Sequence, residues 1–187
     1  MPKGLRILGC DPSFSNWGIA EGLYNPETSK LIIERLDVIR PVTPKGKQTR
    51  QSAIDLNRAK QLSKGFIDRM RVSDLIAAEV PHGSQSARAM AGYGVCIGIL
   101  SLASNTRVPL IEVNAIETRM VITGTREATK AQAIAWAMAK HPEAPWPMHR
   151  GEVNASLAEH MADAIAAIYA AMETDLFKTM AMLAKKE

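Results

Sequence analysis

Asp11 ends the apolar run LRILGCD and is followed by proline, and Glu79 ends a second apolar run in DLIAAEVP. A charge at the end of a core strand is costly unless it is paired or holds a metal. A third contribution comes from EHMADAIAAIYAA at 159–171, where His160 and Asp163 stand three residues apart and share one helix face. If that face covers the strand ends, three carboxylates and an imidazole surround one small volume. Carboxylates packed together repel one another unless a cation sits among them, and hard oxygen donors with one nitrogen suit Mg²⁺ or Mn²⁺. Two such ions about 4 Å apart can activate a water and stabilise the leaving oxygen of a phosphodiester, which is nuclease chemistry. Taken singly, an aspartate before proline is most often a turn residue and a helical histidine a satisfied structural one. The joint occurrence is what points to a site.

The elements that must position these residues are legible from periodicity. Residues 5–11, 17–24 and 31–39 are short apolar or alternating runs broken at Pro12–Ser13 and Asn25–Pro26, and read as three strands of an antiparallel meander. SAIDLNRAKQLSKGFIDRM at 52–70 places Ile54, Leu56, Ala59, Leu62, Phe66 and Met70 on one helical face. A buried strand follows at 74–81. Residues 86–103, rich in Ala, Gly and Met, read as a helix whose glycines at 92, 94 and 98 permit close packing. A fifth strand spans 108–113, a helix 126–140, and a Pro-rich stretch 141–151 ends that helix. The last helix starts near Asn154 or Ser156, with Ser156 and Glu159 in a capping-box pattern, and runs to about Met172. Residues 174–187 read as a flexible C-terminal tail. The expected fold is one α/β domain over 1–187 in the order β-β-β-α-β-α-β-α-α. Its five-stranded mixed sheet has three antiparallel strands, then two parallel, with the site at the strand ends.

Composition bounds what such a domain can do. The chain has 187 residues, 47% of them hydrophobic and 22% charged, enough to bury the core of a single domain. A formal charge of +4 and a pI near 9.2 permit an anionic partner without demanding one. Cys10 and Cys96 lie in apolar surroundings and no secretory pattern precedes the first strand, so a cytoplasmic setting is expected. No stretch approaches ~18 uninterrupted apolar residues, so no membrane span is expected. RPVTPKGKQTR at 40–50 has four basic residues and no acid, and reads as a loop whose Lys45 and Lys47 could track an anionic backbone. Trp17, Trp136 and Tyr169 fall in periodic elements and read as core residues. Trp146 has no periodic context. Cys10 should face away from Asp11, because side chains alternate along a strand.

The same residues resemble a known family. ILGCDPSFSNWGIA is similar to the first-strand motif of the RuvC-type Holliday junction resolvases of the RNase H-like superfamily, whose aspartate is a metal ligand. LIAAEV resembles the strand with the family's catalytic glutamate, and HMADAIAAI the final helix motif in its His and Asp form. TRMVITGTREATKAQAI at 118–134 resembles the segment that runs from a basic residue through a glycine turn to a lysine-bearing helix. The resemblance implies an RNase H-like fold and a Mg²⁺-dependent endodeoxyribonuclease, with Mn²⁺ as a substitute and two ions per site. Asp11, Glu79, His160 and Asp163 would be the ligands, Lys130 a catalytic cation, and Arg119 and Lys130 phosphate contacts.

The match also implies a homodimer on four-way junction DNA, in a bacterial or virus-infected bacterial cell, with an organelle left open; the Ala and Gly face of helix 86–103, which permits close approach, makes it the candidate interface. Three positions depart from the pattern. Ser13 stands where the family has glycine, Arg126 replaces the second glycine of the turn and could add a DNA contact, and Val80, Pro81 and His82 stand where an aromatic residue is common. Two alternatives stay open: an RNase H-like nuclease acting on RNA or RNA–DNA hybrid, and a non-catalytic junction-binding module.

Overall fold

A computed structural model describes residues 4–43, 50–81 and 83–185. Strands β1 (Leu5–Asp11), β2 (Trp17–Asn25), β3 (Lys30–Ile39), β4 (Leu75–Glu79) and β5 (Leu110–Val113) form one sheet in the order β3-β2-β1-β4-β5. The first three pair antiparallel, whereas β1–β4 and β4–β5 are parallel, as the pattern predicts. Lys45, Lys47 and His82 lie outside the described residues.

The period of two along each strand sorts side chains to opposite faces. Leu8, Cys10, Trp17, Ile19, Ile76 and Ala78 face helices α1 (Gln51–Met70) and α2 (Ala87–Leu100), and pack there with Leu62, Phe66 and Cys96. Ile7, Ala20, Leu75 and Ala77 face the other way, onto α5 (Ala155–Met172). Cys10 is thus buried opposite Asp11, and burial pushes its thiol up to about 12. Three layers result, with α5 lying across the centre of the sheet.

Residues 87–105, α2 and the 3-10 turn after it, are long and apolar enough to cross a membrane by length and composition. Gly92, Cys96, Ile99 and Leu100 are nonetheless buried in this domain's own core. Ser86 caps the start of α2, its hydroxyl accepting from the Ala89 N–H at 3.3 Å.

Three elements depart from the sequence expectation. Helix α3 (Ala115–Thr123) was not expected; a capping box between Asn114 and Glu117 starts it and Gly124, at φ 72°, ends it. Helix α4 (Lys130–Lys140) begins four residues later than expected, at a capping box of Thr129 and Gln132, so Arg126 is in the preceding loop. Residues expected as a tail form α6 (Asp175–Ala184), because Phe177 buries its ring edge-on against Tyr24, with centroids 5.0 Å apart. A two-residue hairpin, β6 (Met148–His149) and β7 (Glu152–Val153), occupies the end of the Pro-rich stretch. Trp146 beside it packs against the core and donates its indole N–H to the His141 carbonyl at 2.9 Å.

The position of α5 depends on glycine. A Cβ at Gly18 would stand 2.0 Å from the His160 carbonyl oxygen, and one at Gly9 would stand 2.3 Å from that of Ala164. Bare strand backbone therefore lets the helix settle directly over β1 and β2, at the height where His160 meets Asp11. Gly18→Ala is expected to cost about 3 kcal/mol, the upper end for overpacking, because both colliding atoms are backbone. Urea unfolding checks this; a loss below ~1 kcal/mol would show that α5 can slide freely.

Candidate active site

Asp11 and Glu79 sit at the carboxyl ends of neighbouring parallel strands, one step past the last paired residues, Cys10 and Ala78. Both belong to the α5-facing set, at the crevice where side chains from separate elements can meet in an open α/β sheet. The apolar strand cores dictate this placement. They bury residues 7–10 and 75–78, and release the first charged residue only at the sheet's end.

From above, α5 supplies His160 and Asp163. The His160 Nδ1 lies 3.0 Å from Asp11 Oδ2, each side chain about one-fifth exposed. That hydrogen bond holds the imidazole above its ordinary range despite the opposing effect of burial. Asp163 is pushed up to about 8, first by burial and then by the negative charges of Asp11, Glu79 and Glu159. Burial is the larger cause, and the neighbouring negative charges add to it; a bound cation would relieve that second contribution.

Helix α3, absent from the sequence reading, adds two further groups. The buried Thr118 hydroxyl donates to Glu79 Oε2 at 2.8 Å, fixing the glutamate against the helix. Arg119 follows it and is exposed at the rim. A cavity of about 250 Å³ opens here, lined by Glu79, Thr118, Arg119, Thr129, Lys130, Glu159 and Asp163 among others. Lys130 extends from the start of α4, and its ammonium meets Glu159 Oε1 at 2.6 Å.

Glu159 is the acid that sequence reasoning misplaced. Helix α5 begins after Asn154, so Ser156 is already inside the helix, and no capping box with Glu159 forms. The carboxylate turns instead to Lys130.

Of the residues expected at the site, Glu79, Asp163, Lys130 and Arg119 line the cavity, while Asp11 and His160 form a pair beside it. Arg126 is exposed on the loop before α4 and is not part of the lining. Among the described residues, no three His, Cys, Asp or Glu side chains converge closely enough, as they stand, to hold a metal ion. Asp11 is bonded to His160, Glu79 to Thr118 and Glu159 to Lys130. The donor chemistry of Asp11, Glu79, His160 and Asp163 fits a hard divalent ion.

No family model and no curated protein sequence matches the chain. Solved structures do. Thermus thermophilus RuvC in complex with a Holliday junction substrate superposes with a TM-score of 0.61 at 16% identity, covering 90% of this chain and 96% of that one. A second Thermus RuvC structure gives 0.60 at 19% identity, covering 91% and 98%. The chain has the RuvC resolvase fold. The yeast mitochondrial Holliday junction resolvase shares that fold too, with a TM-score of 0.59 at 13% identity over 97% of this chain and 86% of that one. A RuvC fold preserved at such low identity accounts for the two parallel strand ends that present Asp11 and Glu79 and for the helix laid across them. In the loop between β1 and β2, the Ser13 hydroxyl accepts from the N–H groups of Ser15 and Asn16 at 3.4 and 3.5 Å.

Proposed function

We propose that the chain is a metal-dependent endonuclease that resolves four-way DNA junctions. The observation that carries this reading is the placement of Asp11 and Glu79 on adjacent strand ends, with His160 of α5 bonded to Asp11 and Asp163 of α5 within the electrostatic reach of both acids, in a fold shared along nearly its whole length with junction resolvases. Asp11, Glu79, Asp163 and His160 would hold one or two Mg²⁺ ions, with Mn²⁺ as substitute. When bound, such ions polarise the scissile phosphate and lower the pKa of a water.

The protein's own groups do the rest. Thr118 orients Glu79 by donating to one of its carboxylate oxygens. Arg119 and Lys130, at the rim, meet the strand's phosphates and fix its register without reading sequence. Arg126, exposed beyond that rim, is placed for a more distant phosphate. The walls of the cavity, Ile122, Ala128 and Ala133, limit water around the reacting phosphate.

Labelled four-way junction, linear duplex and RNA–DNA hybrid, each incubated with the protein and Mg²⁺, test the reading. Cleavage of the junction in preference to both others is expected. Preferential hybrid cleavage would make the chain an RNase H-like nuclease of different substrate, and binding without cleavage a non-catalytic module.

A junction presents two scissile strands related by approximate two-fold symmetry, and each chain has one such site, so paired cutting calls for a homodimer. The outward stripe of α2 suits a second copy: Met90 and Ile97 are exposed, and Gly94 and Gly98 have open space above them. Ile97→Asp is expected to convert a dimer into monomers by sedimentation at micromolar concentration. A wild-type monomer, or an unchanged dimer in the variant, would place the interface elsewhere or remove it.

A further inference from the structure

Glu159 has no evident structural role. It caps nothing, since α5 is started by Asn154 without help from this side chain. Its charge adds to the repulsion that already raises Asp163. Among the described residues its ion-pair partner is Lys130, whose side chain is 78% exposed, and ion pairs that exposed contribute little to stability. A carboxylate that worsens a crowded acidic pocket and adds little to the fold is best explained by what it does to the lysine.

The surroundings make that effect definite. The Thr129–Gln132 capping box fixes the backbone at the start of α4, with Gln132 Oε1 accepting from the Thr129 N–H at 2.8 Å and Thr129 Oγ1 from the Gln132 N–H at 3.2 Å. Farther along, α4 is locked to α5 by the edge-on Trp136–Tyr169 pair at 5.2 Å and by the His141–Tyr169 hydrogen bond at 3.0 Å. Glu159 and the Cα of Lys130 are therefore held at a set separation across two rigid helices. Only the four-carbon stem of the lysine is free, and such a stem otherwise samples many rotamers. The ion pair draws its ammonium to the mouth of the cavity that Glu79, Arg119 and Asp163 line.

We propose that Glu159 is a positioning residue that holds the Lys130 ammonium at the mouth of the acidic cavity, ready for a phosphate of the bound strand. This rests on the nuclease reading above for the identity of that phosphate. Glu159 acts through Lys130 and touches no reacting atom. The hydrogen bond and charge of Glu159 also favour the protonated lysine, in keeping with a cation kept charged for an anionic ligand.

Cleavage of a four-way junction by wild type, Glu159→Gln, Glu159→Asp, Lys130→Ala and the Glu159→Gln/Lys130→Ala double variant tests the assignment. Glu159→Gln should lower kcat about tenfold with junction affinity changed less than about twofold, as expected when a group is misplaced and not removed. The double variant should be no slower than Lys130→Ala alone. Glu159→Asp keeps the charge and lets the flexible lysine close a gap of one methylene, so it should recover most of the lost rate. Additive losses, or a loss that Glu159→Asp leaves untouched, would overturn the proposal.

A second readout needs no nuclease activity. Competitive acylation by acetic anhydride, read by peptide mass spectrometry against Lys64 and Lys140, should label Lys130 several-fold faster in Glu159→Gln and at the wild-type rate in Glu159→Asp. Unchanged labelling in Glu159→Gln would overturn the pairing itself. Labelling that changes as expected in a protein that cuts no junction would leave the pairing standing and count against the nuclease reading.

Discussion

Glu79→Gln is expected to abolish junction cleavage, with a rate at least ~10³-fold below wild type, while junction binding stays within a few fold. Losing a metal ligand removes several kcal/mol of transition-state stabilisation, and each 1.4 kcal/mol is about a factor of ten. The substitution is nearly isosteric. An amide oxygen still accepts the Thr118 hydroxyl that fixes the native carboxylate, so α3 keeps its anchor on β4. The phosphate contacts proposed for Arg119 and Lys130 are unaltered, and contacts of that kind supply most of the affinity. Asp11→Asn should behave alike. Gel-shift and single-turnover cleavage on the same junction separate the two quantities, and binding lost in proportion to activity would show that Glu79 supports the fold and not the chemistry.

The second large effect concerns pH and metal together. Asp163 is held up to about 8 in the folded protein, well above its unfolded value near 4, so the native state keeps a proton that the unfolded chain has released. Stability from this group is fully present below the unfolded value and is lost as pH rises through about 8. His160, raised by Asp11, has the same sign: its contribution is lost as pH climbs past the folded value. The metal-free protein should therefore show a Tm that falls by several degrees between pH 6 and 8.5. A divalent ion competes with the Asp163 proton for the same oxygens, so 10 mM Mg²⁺ should restore more of that Tm at pH 8.5 than at pH 6. Asp163→Asn removes the repulsion, and should raise the metal-free Tm at pH 8.5 while erasing the Mg²⁺ response. An equal Mg²⁺ increment at both pH values would disconnect Asp163 from the ion.

Much of the frame was legible because it rests on short-range signals. Short apolar runs that end on an acid gave β1 and β4 and put Asp11 and Glu79 at strand ends, and the three-residue spacing of His160 and Asp163 put both on one side of α5. Helix α3 escaped although its markers are present, Asn114 and Glu117 at its start and Gly124 at its end, because its nine residues have little amphipathic pattern. Helix α6 escaped because Phe177 makes sense only once Tyr24 of β2 is beside it. Glu159 illustrates the limit best. Ser156 three residues before it offered a local explanation, and the true partner, Lys130, is set by the packing of α4 on α5, which no local window contains. The same holds for the partners of Asp11 and Glu79: sequence places the acids at one end of the sheet, and only the fold shows that each is already engaged.

Whether this acidic strand-end site cuts four-way junctions in pairs with the help of a divalent ion is decided by a supercoiled plasmid carrying an extruded cruciform. Two cuts made across one junction within the life of one complex yield linear plasmid. Direct conversion of the cruciform plasmid to linear product is expected in Mg²⁺, with no product in EDTA and no linear product from a plasmid lacking the inverted repeat. Nicked circles without linear product, equal cutting of both plasmids, or cleavage that persists in EDTA would contradict it.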